Sequence, residues 1–204
     1  METGIRKRNP RGEGSRLRAE LIAAAAALLE ETGSEDAVTL RAVARRAGVT
    51  PTSIYPHFAD PGAILTEVIR DAFAALTAEL RAADQPADNA DQHLTSVCVA
   101  YIKFAETHPD RYRVMFARHG RDRTAAMTAP RSIPELGGAD TFGVLVQAVA
   151  RRSAQHGFQS DPQADATALW VAIHGLVTLR DAVPAFPWPD DMLPTLITRL
   201  TPTH

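Results

Sequence analysis

The chain has 204 residues, 45% of them hydrophobic, enough to bury one large core or a small and a medium one without covalent staples. A single cysteine, Cys98, excludes an intramolecular disulfide and a thiolate metal cluster and points to a reducing, cytoplasmic setting. The net charge of -2 decides nothing by itself, but residues 1 to 18 hold six basic side chains (Arg6, Lys7, Arg8, Arg11, Arg16 and Arg18) against two acidic ones (Glu2 and Glu13).

Residues 1–14 therefore read as a flexible basic arm, which attracts phosphate without reading sequence. No apolar signal core follows the arm. The alanine-rich stretch Leu21 to Leu29 is too short for a bilayer crossing of about 20 residues, so no membrane partner is expected. Apolar residues recur at helical spacing nearly throughout and strand signals are scarce, which predicts an all-α fold. A first helix is expected from Ser15 to Thr32, ended by Gly33, whose lack of a side chain permits the left-handed conformation. A second runs from Leu40 to Ala47 with Thr39 as its cap, and Gly48 turns the chain. A third short helix begins at Thr50, whose hydroxyl can cap it, with Pro51 at the first helical position, where a missing N–H costs nothing. Asp60 and Pro61 repeat that arrangement for a connecting helix carrying Ile64, Leu65, Val68, Ile69 and Phe73. Polar residues between Ala83 and Ala90 suggest a boundary, giving a head over 15–83 and a body over 84–204.

In the body, Leu94 to Ala105 mark a helix stopped near His108 by Pro109, and a short helix carries Tyr112, Met115 and Phe116. Gly120 to Ala139 reads as a long mobile loop. A helix through Phe142 and Val149 ends near Gly157, another carries Leu169 to Val177, and a last one, after the proline-bound stretch Pro184 to Pro189, carries Met192 to Leu200.

Two short helices joined by a glycine turn form the unit whose second helix enters the DNA major groove. Ala44 is small enough for the helices to approach, while Leu40, Val43, Val49, Ile54 and Phe58 supply the apolar contacts that set their angle. The exposed face of the second short helix then offers Thr50, Thr52, Ser53, Tyr55 and His57, which can hydrogen-bond bases and phosphates. An ordinary helical hairpin facing water is the bland alternative. The basic arm and the clustering of hydroxyls weigh against it.

The segment Thr39-Leu-Arg-Ala-Val-Ala-Arg-Arg-Ala-Gly-Val-Thr-Pro-Thr-Ser-Ile-Tyr-Pro-His-Phe58 resembles the N-terminal domain of the TetR family of bacterial transcriptional regulators. The likeness covers about the first 80 residues, and Ile54-Tyr-x-His-Phe58 is its most specific part. Trp170-Val-Ala-Ile-His-Gly175 and His108-Pro-Asp-Arg-Tyr112 are similar to a C-terminal subgroup of the same family. The resemblance implies phosphate contacts from Thr39 and Arg41, base contacts from Thr50, Thr52 and Ser53, and backbone contacts from Tyr55 and His57. It also implies a repressor that binds a palindromic double-stranded DNA operator and is released by a small apolar effector. Two positions depart from the pattern. Pro61 stands where the family commonly has a phosphate-gripping lysine, leaving the helix dipole and backbone N–H groups. Pro56 lies inside the reading helix, removing a hydrogen bond to Thr52, so a kinked or short reading helix is expected.

The last two long helices are hydrophobic on more than one face, which suggests self-association, and the resemblance implies a homodimer paired through them. Trp170, His174, Gly175, Leu193, Leu196, Ile197 and Leu200 are the candidate dimer contacts, with His174 read as a satisfied packing histidine. Tyr101, Phe104, Tyr112, Met115, Phe116, Phe142, Val146 and Trp170 could surround an effector pocket, although aromatic stripes at helical spacing are more often core. The seven histidines show no metal-ligand spacing, and neither a phosphate loop nor a nucleophile motif stands out. No catalytic residue, metal or cofactor is therefore expected. A helical binding module whose DNA head has lost function is the alternative, favoured by Pro56 and Pro61.

Overall fold

The computed structural model describes residues 14–84, 89–116, 136–157 and 159–201. These form eight α-helices and no strand: α1 (Gly14–Thr32), α2 (Leu40–Arg46), α3 (Pro61–Ala83), α4 (Ala90–Thr107), α5 (Pro109–Phe116), α6 (Gly138–His156), α7 (Pro162–Ala182) and α8 (Met192–Leu200). Single turns of 3-10 helix occur at Glu35–Ala37 and Pro51–Ser53. No helix among the described residues is long and apolar enough to cross a membrane. The chain divides into two compact units, the divisions falling between Ala72 and Phe73 within α3 and between Tyr112 and Arg113 within α5. The basic arm expected over 1–14 lies outside the described residues except Gly14, which begins α1.

The first unit is built on α1, α2 and the start of α3. Helix α2 has seven residues, too few to stand alone, since isolated helices shorter than about 12 residues are marginal in water. Its apolar face holds it: Leu40, Val43 and Ala44 are buried, and α2 packs against α1 and the Pro51–Ser53 turn. Thr39 caps it as expected, its Oγ1 accepting the Ala42 N–H at 3.2 Å. The turn after α2 is set by Gly48 at φ 69°, a left-handed value that side chains disfavour. There Gly48 N–H donates to the Arg45 carbonyl at 3.2 Å and Val49 N–H to that of Ala44 at 3.0 Å, which satisfies carbonyls otherwise orphaned at a helix end.

The second unit contains the rest of α3 together with α4, α6, α7 and α8. Helix α4 packs against α6, α7 and α8, and α7 packs against both α6 and α8. Leu94, Val97, Phe104, Ala148, Val149, Leu169 and Ile173 fill the space between them, all almost fully buried. Side-chain carboxamide and carboxylate groups start two of these helices: Asn89 accepts from Asp91 and Gln92 N–H, and Asp161 from Gln163 and Ala164 N–H. The expected loop from Gly120 to Ala139 is shorter at its end, because α6 already begins at Gly138; residues 120–135 lie outside the described residues. Gly137, at φ 99°, makes that early start feasible, and a side chain there would press within 3.4 Å of Phe73 Cβ.

A buried arginine joins three helices of this unit. Arg152 on α6 donates from Nε to Asp91 Oδ1 on α4 at 2.5 Å, and from Nη1 to both the carbonyl and the hydroxyl of Thr201 at the end of α8. His156 Nε2 lies 2.9 Å from the other oxygen of Asp91. Burial alone would raise the Asp91 pKa, but the hydrogen bonds and charges of Arg152 and His156 outweigh it and hold the carboxyl below its usual range.

Candidate functional site: a hydroxyl-bearing turn and a buried aromatic relay

The element expected to read DNA is shorter than a helix. One 3-10 turn at Pro51–Ser53 is followed by turns through His57, and the backbone bonds are Ser53 N–H to the Thr50 carbonyl (2.9 Å), then His57 and Phe58 N–H to that of Ile54 (2.9 and 3.0 Å). Pro56 explains the truncation, since it has no N–H to extend a helix and crowds the carbonyl four residues back. The expected short element is present as this turn. The expected Thr50 cap is not, because its hydroxyl lies 2.9 Å from Thr52 Oγ1 and 2.8 Å from Ser53 Oγ, forming a cluster of three hydroxyls.

Burial sorts this segment into anchor and face. Ile54 and Phe58 are buried, fixing the turn to the core. Between them Tyr55 is 53% exposed. Thr39, Arg41, Thr50 and Thr52 are exposed as well, and Ser53 and His57 are half-buried. The start of α3 corrects one expectation. Pro61 has no N–H, and Asp60 Oδ1 already accepts the Ala63 N–H at 2.8 Å, so a carboxylate occupies the helix start that was expected to be left for phosphate.

In the second unit the structure gathers four side chains from three helices. Trp170 Nε1 donates to the Tyr101 hydroxyl at 3.1 Å, the Tyr101 and Tyr112 hydroxyls are 2.9 Å apart, and His174 Nδ1 lies 2.6 Å from the Tyr112 hydroxyl and 3.3 Å from that of Tyr101. Phe142 on α6 meets Trp170 edge-on, with ring centroids 6.0 Å apart. Both tyrosines are buried, whereas Trp170, His174 and Phe142 are half-buried. Burial raises the Tyr101 pKa to about 12 despite hydrogen bonds with Tyr112 and Trp170, and it raises that of Tyr112 too, which would otherwise ionise beside a Tyr101 anion. Burial also lowers the pKa of His174, so the relay is electrically neutral at neutral pH.

The other pocket candidates separate. Phe104 is almost fully buried with its ring 5.1 Å from that of His108, and Val146 is half-buried on α6. Met115 and Phe116 belong to the first unit. His174 was missed as a member of the relay, although its spacing of four from Trp170 puts both on one face of α7.

Of the dimer candidates, Ile197 is buried within its own chain, while Gly175, Leu193, Leu196 and Leu200 are half-buried. Trp170 and His174 turn their polar atoms toward the tyrosines. The large apolar side chains that α7 presents to solvent are Val171 (60% exposed), Leu179 (51%) and, just past its end, Val183, none of them anticipated. Among the described residues no group of acidic, cysteine and histidine side chains could hold a metal ion.

A helix-turn-helix unit and a separate helical unit with a buried polar relay define the class of two-domain regulators. Residues 21–68 match the family described as bacterial regulatory proteins, tetR family, and residues 94–201 match the tetracyclin repressor-like C-terminal domain. The chain belongs to the TetR family, whose members are transcriptional regulators with DNA-binding and ligand-binding domains. Among solved structures, a protein of unknown function from Rhodococcus sp. RHA1 is 25% identical with a TM-score of 0.74, and the match covers 98% of this chain and 97% of that one. SmeT, the repressor of a multidrug efflux pump in Stenotrophomonas maltophilia, was solved with triclosan; it is 21% identical with a TM-score of 0.64, covering 90% and 91%. The regulator PfmR from Thermus thermophilus is 18% identical with a TM-score of 0.56, covering 88% and 94%. The last two similarities concern the fold.

Proposed function

We propose that this protein is a homodimeric transcriptional repressor that holds a near-palindromic operator and is released by a small, largely apolar effector bound in its second unit. The observation that carries the reading is the separation within Thr50–Phe58, where Ile54 and Phe58 anchor a short turn while the hydroxyls and Tyr55 face solvent. Phosphate contacts set register and base contacts set choice. Thr39, Arg41, Tyr55 and His57 take the first role in this proposal, and Thr50, Thr52 and Ser53 the second. The arm over 1–14 adds charge without base readout, the head spans 15–83 and the body 84–204. That SmeT was crystallised with triclosan supports a small-molecule effector for the body. The exposed Val171, Leu179 and Val183, with Gly175 between them, support pairing through α7 and α8 in the cytoplasm of the cell.

The test is selection of bound duplexes from a random DNA pool. A recovered palindrome with half-sites about 34 Å or a multiple apart supports the proposal, because two heads related by a twofold axis must meet successive major grooves. Recovery of no sequence, with binding that is weak at every salt concentration, would favour a binding module with a degenerate head. The truncated reading turn and the Asp60 carboxylate at the start of α3 are the observations on that side.

A further inference from the structure

We propose that the basic arm before α1 enters the DNA minor groove beside each half-site, and that its arginines bias this protein toward operators whose adjoining base pairs are A·T-rich. The inference rests on the reading that Thr50–Phe58 lies in the major groove with His57 against a phosphate. It begins with where the arm leaves the fold. Helix α1 starts at Gly14, and a side-chain carbon added there would lie 4.0 Å from Cε1 of His57. The first turns of α1 are fixed to the same end of the reading segment. The Arg18 guanidinium stands over the Phe58 ring, 5.2 Å from its centroid, and pairs with Glu67 on α3 at 3.2 Å. Of the six basic side chains among residues 1 to 18, Arg18 is thus engaged within the fold, and so is Arg16, bonded to Glu20 at 2.9 Å. The other four, Arg6, Lys7, Arg8 and Arg11, fall in the stretch 6–12, which holds no acidic residue.

Thr50, Thr52 and Ser53, assigned to bases, stand at one end of the reading segment, and Tyr55 and His57, assigned to phosphates, toward the other. A chain that departs beside His57 departs at the rim of the major groove, over the sugar–phosphate backbone. Across that backbone lies the minor groove. The two grooves are about half a helical turn apart, roughly 17 Å between centres. Extended chain covers about 3.3 Å per residue, so Arg11, three residues before Gly14, reaches about 10 Å, enough for the backbone. Arg8 and Arg6, six and eight residues before it, reach about 20 and 26 Å, enough for the groove. Arginine is more weakly hydrated than lysine and loses less on entering a narrow groove. Runs of A·T pairs narrow the minor groove and deepen its negative potential, whereas the 2-amino group of guanine projects into it as a donor and repels a guanidinium. The bias therefore comes from groove width and potential, without hydrogen-bonded recognition of a base. Charge acting on phosphates alone would favour no sequence.

The experiment uses the palindromic duplex recovered from the random pool, with the base pairs adjoining each half-site replaced by A·T, G·C or inosine·cytosine pairs. Inosine·cytosine presents the major-groove edge of G·C but lacks the 2-amino group in the minor groove, so it separates the two grooves. Binding isotherms of the full-length protein should show A·T and inosine·cytosine flanks held at least about fivefold more tightly than G·C flanks. Deleting residues 1–13 should level the three affinities. Making Arg6→Lys, Arg8→Lys and Arg11→Lys together keeps every charge, so the salt dependence should persist while most of the preference is lost. Both changes precede α1, and an unchanged melting temperature shows that the fold is intact. Equal affinity for the three flanks, inosine·cytosine behaving as G·C, or a preference that survives either variant overturns the proposal. A recovered palindrome without flank preference removes this inference and leaves the regulator. If the pool yields no palindrome, short duplexes of one pair type each become the probes. An arm-dependent preference for A·T and inosine·cytosine over G·C then removes the regulator and leaves the arm in the minor groove, and no such preference removes both.

Discussion

The reading turn and the aromatic relay use the same kinds of side chain, hydroxyls and a histidine, in opposite environments. In Thr50–Phe58 the apolar residues are buried and the polar ones face solvent, so each hydroxyl is held by water or a neighbour at little cost and stays available to a partner. In Tyr101–Tyr112–Trp170–His174 the hydroxyls are inside, where an unpaired polar group costs about 1 to 3 kcal/mol, so each is tied to another and the geometry becomes specific. Exposure keeps a surface adaptable, and burial makes a polar group selective.

The sharpest contrast compares the ion pairs of the two units. Arg152→Met should destabilise the second unit by about 2 to 3 kcal/mol, because the buried Thr201 carbonyl and hydroxyl lose their donor, while the more exposed Asp91 keeps His156. Arg46→Met, which breaks the exposed 2.6 Å bridge to Glu31, should cost about 0 to 1 kcal/mol. Denaturant unfolding of both variants measures the difference, and equal losses would erase the contrast.

A comparable effect is expected at the anchor of the turn. Ile54→Ala removes a fully buried side chain and should cost about 2 to 5 kcal/mol along with DNA binding, since the hydroxyl face would lose its support. Unchanged operator affinity in a stably folded Ile54→Ala protein would show that the turn does not position the reader.

Gly175→Leu tests the proposed pairing. An added Cβ at Gly175 meets no heavy atom within 4 Å in the isolated chain, so the fold should tolerate it. A partner helix approaching there would not, and the dimer should weaken by about 2 kcal/mol or more. Sedimentation at several concentrations distinguishes the two, and an undiminished dimer places the interface elsewhere.

Acid should act on the relay before it acts on the Arg152 cluster. Burial lowers the His174 pKa below 6.5, so as pH falls below 6.5 the unfolded chain binds a proton that the folded chain resists, and stability declines until the folded pKa is reached. Asp91 has its pKa lowered below 3.8, so its contribution is present above 3.8 and is lost only at lower pH. Melting temperatures should therefore fall in two stages. His174→Asn should flatten the first stage, and a first stage that persists in that variant would assign it to another group.

The smallest expected effects lie on the reading face. Tyr55→Phe should lower affinity for operator and scrambled DNA by similar factors, whereas Ser53→Ala should reduce discrimination by about 1 to 3 kcal/mol. Tyr55 is exposed, so its change should move stability by no more than about 0.5 kcal/mol. Binding isotherms at two salt concentrations for each variant provide the check.

Helix ends were legible in the amino-acid sequence wherever one residue's local chemistry sets them. Gly33, Gly48 and Gly157 all adopt positive φ at helix ends, Thr39 and Asp60 cap where expected, Pro51 and Pro61 begin their elements, and α4 ends at Thr107, just before His108 and Pro109. The truncated reading element followed from Pro56 for the same reason, because a missing N–H acts on its own turn. What required the tertiary structure is each pairing across long stretches of chain. Arg152 finds Asp91 and Thr201, His174 finds Tyr101 and Tyr112, and Ile197 is drawn into its own core while Val171 and Leu179 remain outside. Periodicity marks which residues share a helix face, but only the packing of one helix on another selects whether that face meets solvent, an apolar neighbour or a hydrogen-bonding partner, and that selection turned a predicted packing histidine into the end of a relay.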